Sequence, residues 1–349
     1  MNVLELPYAY GEPPVHGRVK VAPEDFVVRE WLGFEPDNEG DHWLLKVRKR
    51  GANTQWVARQ IAKHARIHPR DVGFAGLKDR HAITEQSFSV PVRTAVSDWM
   101  GVAGEGYEVI QADRHRRKLK RGALRGNDFE IVVRDAEFDL ARLRERASLI
   151  EARGVPNYFG PQRFGRDGGN LKRARLWFSG ELELTERWER GFALSAARSS
   201  LFNDVLARRV IDSTWDRLLD GDVANLEGTN SIFAVDQVTP ELNERCERLD
   251  VHPTGPLWGK GTLGTAGLVA TLEQETIQKD GLLAAGLERA GLEQERRALR
   301  LKVSQFELNA ESDHVRLKFR LGRGAFATSV LHELIAGMFG QGIEEGEDD

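Results

Sequence analysis

A chain of 349 residues, 40% hydrophobic and 30% charged, suits two folded domains and excludes wholesale disorder. Its longest run without Asp, Glu, Lys or Arg is the twelve residues Gly261–Leu272. A membrane helix needs roughly 20 apolar residues, and MNVLELPYAYGEPP lacks the segments of a secretory leader, so a cytoplasmic protein with no membrane partner is expected. A single cysteine, Cys246, leaves no internal disulfide and no cysteine-based zinc site. The net charge of −4 hides an asymmetry: Lys46 to Arg125 carries 18 Lys/Arg against 7 Asp/Glu. The densest stretch, Arg114–Arg121, reads RHRRKLKR, whereas the chain ends on IEEGEDD. A basic block on an acidic chain points to a localised anionic partner, RNA or DNA first.

In chain order, GRVKVAPEDFVVREW (17–31) reads as two strands separated by a turn at Pro23-Glu24-Asp25. His42–Arg50 is a further strand closed by Gly51. Asn53 or Thr54 caps a helix over 55–67, in which Val57, Ile61 and Ala65 recur every four residues. Phe88, Val90 and Val92 alternate on one face of a strand over 85–93, and 128–134 is another. The texture changes near Gly154: a glycine-rich stretch, helical patterning through 200–219, a Pro/Gly-rich loop at 252–267 and polar helix over 273–300. Strand patterns return at 299–303 and 315–321, followed by a helix over 327–339. A sheet-rich start and end around a helix-rich middle suggest one domain interrupted by another.

Motifs for familiar cofactors fail their own context. Gly259, Gly261 and Gly264 match G-x-G-x-x-G, but no strand-to-helix setting surrounds them. His64 and His68 are helically spaced, yet lie among Lys63, Arg66 and Arg70 and lack further donors, so no metal site is expected. The segment GFAGLKDRHAITEQ (73–86) says more. Asp79 lies between Lys78 and Arg80, where an ionised carboxylate is favoured and available as base or nucleophile. A turn aspartate paired with a neighbouring base is the structural alternative.

That segment resembles the signature of the tRNA pseudouridine synthase D (TruD) family. Six more blocks do so in order: Lys20 with PEDFVV (23–28), LKRG with LRGN (119–127), GVPNYFGPQRFG (154–165), 199–203, 252–261 and GAFAT (324–328). The resemblance implies isomerisation of uridine to pseudouridine in tRNA, typically at position 13 in tRNA numbering. It implies no metal, nucleotide or organic cofactor and no obligate protein partner. Asp79 would be the required aspartate, attacking carbon or removing a sugar proton. Phe26 and Phe326 would line the uridine pocket, Asn127 would contact substrate, and Lys20 would pair with the aspartate. Core packing is the alternative fate of either phenylalanine. The implied fold is α+β: a pseudouridine-synthase catalytic domain with a mixed, largely antiparallel sheet (1–152 and 304–349) and an inserted family-specific α/β domain (153–303). A non-catalytic RNA-binding protein of the same fold is the main competing reading; a metal-dependent nuclease is less well served by the scattered carboxylates and histidines.

Overall fold

The computed structural model describes residues 5–337, so the acidic end and the last part of the expected final helix lie outside the described residues. Within them the chain forms two compact units, one of residues 16–140 and 304–325, the other of 5–15, 141–303 and 326–337. Compactness thus groups 5–15, 141–152 and 326–337 with the middle of the chain.

The first unit is built on a ten-stranded sheet. Its strands are β1 (Val15–Arg18), β2 (Phe26–Trp31), β3 (His42–Arg50), β4 (Gly73–Phe74), β5 (Ile83–Pro91), β6 (Ala103–Gly104), β7 (Tyr107–His115) and β8 (Gly126–Phe138). Eight more strands follow in the chain, and the last two, β15 (Ser304–Ala310) and β16 (His314–Gly322), complete this sheet. The order is β15-β16-β8-β2-β5-β3-β7-β6, with β1 on β8 and β4 on β5. β2 and β5 run parallel, whereas β2–β8, β3–β5, β3–β7 and β8–β16 are antiparallel.

Register divides the sheet into two unlike faces, because opposed residues share a face. Phe26, Val28 and Glu30 of β2 oppose Ile131, Phe129 and Asn127 of β8. Lys49, Val47 and Leu45 of β3 oppose Thr84, Gln86 and Phe88 of β5. This face packs under helix α1 (Thr54–Ala65), whose Val57, Ala58, Ile61 and Ala65 are buried. The opposite face carries a ladder of ion pairs: Arg29 with Glu130, Arg48 with Glu85 and Glu108, Arg316 with Glu130, and Arg320 with Asp128. Asn53 caps α1 by accepting from the N–H of Gln55 at 2.8 Å, which frees Thr54 for another task.

The second unit contains α2 (Leu140–Arg153), β9 (Val155–Pro156), α3 (Gly169–Ser179), α4 (Arg187–Ile211), β10 (Asp222–Leu226), β11 (Ile232–Val235), α5 (Pro240–Glu247) and β12 (Val251–Leu257). It continues with α6 (Gly267–Gln278), α7 (Gly281–Arg289), β13 (Glu295–Ala298), β14 (Arg300–Leu301) and α8 (Ala327–Leu334). Leu201, Phe202, Val205 and Leu206 of α4 anchor its core. The helix expected over 200–219 instead starts at Arg187 and stops at Ile211. The supposed loop after 251 begins as a buried strand, β12, within the antiparallel order β11-β10-β12-β13. Pro253 and Pro256 withhold two ladder donors. Side chains compensate: Thr254 Oγ1 donates to the Val223 carbonyl at 2.5 Å, and Arg296 donates to the Thr254 carbonyl at 2.7 Å.

One buried carboxylate ties the ends of this unit together. Glu333 of α8 accepts from the Ala9 N–H at 2.9 Å and the Tyr10 N–H at 3.3 Å. Burial pushes its carboxyl up to about 7, against the two N–H donors and Arg146. The folded state therefore holds a proton that the unfolded chain releases near its ordinary value of 4.5. That stabilisation is complete below the unfolded pKa and is lost as pH rises through 7. Chemical denaturation should show wild type losing about 2.5 kcal/mol relative to Glu333→Gln between about pH 5 and about pH 8.5. Parallel pH profiles for the two proteins would remove Glu333 as the cause.

Candidate active site

The parallel pairing of β2 with β5 explains how residues distant in sequence meet. Val27 is in register with Ile83, so the segments entering the two strands emerge side by side. One carries Lys20, the other Asp79. Lys20 Nζ lies 3.5 Å from Asp79 Oδ2 and 4.2 Å from the centre of the Phe26 ring. The Lys20 side chain is 7% exposed and that of Asp79 32%. An ion pair of 3.5 Å is longer than a charge-assisted hydrogen bond of about 2.7–2.9 Å, and the carboxylate stays accessible.

Local sequence builds each half. Pro23–Asp25 forms a tight 3-10 turn at the entry to β2. The buried Asp25 carboxylate accepts from the Ala22 N–H at 2.9 Å and from Arg134 at 2.7 and 2.9 Å, which fixes that turn. Lys20 takes a left-handed backbone, φ 56°, at a cost of about 1–2 kcal/mol for a residue with a Cβ. The Phe26 ring is 3% exposed and meets Phe129 edge-on, so it serves as a floor beneath the lysine ammonium.

The Asp79 loop is strapped down by a buried polar network that sequence reading misses. Lys78 Nζ pairs with Glu30 at 3.2 Å, the two side chains 6% and 1% exposed. The Lys78 N–H donates to Thr54 Oγ1 at 3.1 Å, and Gln86 donates to the Gly76 carbonyl at 2.6 Å. Thr54 Oγ1 also accepts from Lys49 Nζ at 3.0 Å and donates to Gln86 Oε1 at 3.0 Å. Its one donor and both acceptor positions are then used. The Ala75 carbonyl accepts from the Gly122 N–H at 2.7 Å. Each straightforward reading of Asp79's flanking cations therefore needs revision: Lys78 serves Glu30, and Arg80 donates to the Gly51 carbonyl at 3.3 Å. Among the described residues the cation at Asp79 is Lys20.

Asn127 lies on the same sheet face, opposite Glu30. Its side-chain oxygen is buried and has no hydrogen-bond partner among the described residues. Such an orphaned acceptor costs about 1–3 kcal/mol until something donates to it. Phe326 falls in the other unit, half-buried beside Phe159. Lys20, Phe26 and Asp79 thus form one cluster, Asn127 shares their face, and Phe326 belongs to a separate set of rings. Among the described residues no group of three or more His, Cys, Asp or Glu is arranged to hold a metal. His64 packs on Trp99, and His68 Nδ1 caps a turn by accepting from the Arg70 N–H at 3.1 Å. Among the described residues no helix is long and apolar enough to cross a membrane.

An accessible, lysine-paired carboxylate at the entry to two adjacent strands of a mixed α+β sheet is an arrangement that can support nucleophilic or acid–base chemistry. The family model for tRNA pseudouridine synthase D (TruD) matches residues 4–174 and 182–334. A tRNA pseudouridine synthase D of Methylococcus capsulatus is 46% identical over 95% of this chain and 94% of its own length. That of Nitrosococcus oceani is 43% identical over 93% and 92%. The solved structure of a TruD-type protein from Methanosarcina mazei matches with a TM-score of 0.75 at 22% identity, covering 95% of this chain and 96% of that one. The chain belongs to the TruD family.

Proposed function

We propose that this protein isomerises uridine to pseudouridine in tRNA, at position 13, with Asp79 acting on the target nucleotide and no cofactor taking part. The observation that carries the reading is an accessible Asp79 carboxylate facing Lys20 at 3.5 Å on a loop pinned from beneath. The reaction breaks the C1′–N1 bond, turns the detached uracil and joins C5 to C1′. The C5 proton leaves to solvent and N1 takes one up, so atoms and charge balance. Either role for Asp79, attack on carbon or removal of a sugar proton, needs an anion held in one place. Lys20 supplies the countercharge. Phe26 closes the floor, Asn127 offers its unpartnered oxygen to a donor of the nucleotide, and Phe326 stacks on the extruded base, offsetting a few kcal/mol of unstacking. In this reading 1–152 and 304–349 carry the catalytic part, 153–303 is an insertion, and the enzyme acts in the cytoplasm without an obligate protein partner. Tritium release from tRNA labelled as [5-³H]uridine tests the reaction, and mapping of the product tests the position. A folded preparation that binds tRNA and releases no tritium would favour the non-catalytic reading.

Only part of the basic block is proposed to meet the RNA. Arg116 pairs with Glu39 and its N–H donates to Asp37 at 2.9 Å, while Lys118 Nζ donates to the Arg70 carbonyl at 2.6 Å. Arg121 lies 4.0 Å from the Phe74 ring centre. Arg117 and Lys120 are exposed and reach solvent. Neutralising these two should flatten the log–log salt dependence of tRNA binding by about 1.4–1.8, at roughly 0.7–0.9 per phosphate contact. Unchanged slopes would mark the block as a solvated loop.

A further inference from the structure

The unit that contains α4 holds another concentration of positive charge, and it surrounds Phe326. The Arg163 guanidinium carbon lies 5.2 Å from the Phe159 ring centre and 5.6 Å from that of Phe326. Those rings are 6.2 Å apart and tilted by 54°. Arg297 of β13 lies 4.3 Å from the Phe159 ring centre and donates to Asn157 Oδ1 at 2.7 Å. Burial and the like charge of Arg163 push the Arg297 guanidinium down to about 10.

Two guanidiniums held this close repel, and taking them out of water costs more than the ring contacts return. The hydrogen bond of Arg163 goes to a neutral hydroxyl, Ser195 Oγ, at 3.0 Å. Burial lowers its pKa and no carboxylate offsets the effect. That bond uses one of five N–H donors. With its faces on rings, a guanidinium keeps its edge for two oxygens of one anion, the geometry that favours phosphate. A guanidinium such as Arg163, whose charge no carboxylate offsets, beside an aromatic ring fits a nucleotide: phosphate at the edge, base at the ring.

We infer that Arg163, with the field of Arg297 behind it and Phe326 beside it, binds a backbone phosphate of the RNA. The inference rests on the tRNA reading and adds a phosphate contact to it. Filter binding of a tRNA transcript to wild type, Arg163→Gln and Arg163→Lys from about 50 to about 300 mM KCl tests it, with melting temperatures recorded alongside. Arg163→Gln should flatten the log–log slope by about 0.7–0.9, so its deficit shrinks about threefold between about 50 and 200 mM. Arg163→Lys should restore the slope and only part of the affinity, because an ammonium lacks the fork. An unchanged slope for Arg163→Gln overturns the site, whether affinity is retained or falls together with the melting temperature. Tritium release by wild type in the same buffer separates the two readings. A flattened slope without turnover keeps the phosphate site and sinks the reaction; turnover with unchanged slopes sinks the site alone.

Discussion

Asp79→Asn should release no measurable tritium from [5-³H]uridine tRNA, a single-turnover loss of about 10⁴-fold or more, comparable to removal of a nucleophile elsewhere. The substitution keeps the size of the side chain and removes its charge, and an amide neither attacks carbon at useful rates nor removes a sugar proton. Affinity for tRNA should stay within a few-fold, since phosphate contacts dominate it. The variant takes the Asp79 carboxylate away from Lys20, which is 7% exposed and lies over Phe26, so a melting temperature must accompany the rate. Turnover by a folded Asp79→Asn within about tenfold of wild type would remove Asp79 from the chemistry.

How much of this site could be read from sequence depends on the distance over which each contact acts. Strand β3 was legible to its ends, His42–Arg50, because alternation and a closing glycine are local signals. The turn before Phe26 was legible from Pro23 for the same reason. Asp79 was marked by the block around it, but local reading offered only adjacent Lys78 and Arg80 as partners, and Lys20 entered through the family resemblance alone. Only the parallel pairing of β2 and β5 brings Lys20 across 59 positions. Glu30 left a trace: it shares parity with the buried Phe26 and Val28, and a charge at a core-facing position needs a partner. Strand β12 was hidden because its prolines argue against a central strand, and the compensating bonds, Thr254 to Val223 and Arg296 to Thr254, join it to residues distant in sequence.

The same reasoning makes Thr54 the most exposed test of how Asp79 is held. Nothing in a threonine at a helix start distinguishes it from a capping residue, yet Asn53 does the capping and Thr54 is 1% exposed. Its hydroxyl joins three elements: Lys49 of β3, Gln86 of β5 and the Lys78 N–H beside Asp79. Thr54→Val keeps the shape and removes all three bonds. Leaving buried groups unsatisfied should cost about 3 kcal/mol of stability, at roughly 1–3 kcal/mol per group with partial relaxation. The catalytic consequence should be larger than that of an ordinary core change, because the loop carrying Asp79 loses the strap next to it. A displacement of about 1 Å is enough to slow chemistry about 10²-fold. The loss should appear in kcat and in the single-turnover rate, with KM and tRNA affinity little changed, since Thr54 is buried and meets no RNA. Thr54→Ser keeps the hydroxyl and should recover most of the rate. A folded Thr54→Val that turns over within about twofold of wild type would show that the other contacts, Lys78 with Glu30, Gln86 with Gly76 and Gly122 with Ala75, hold the loop without it.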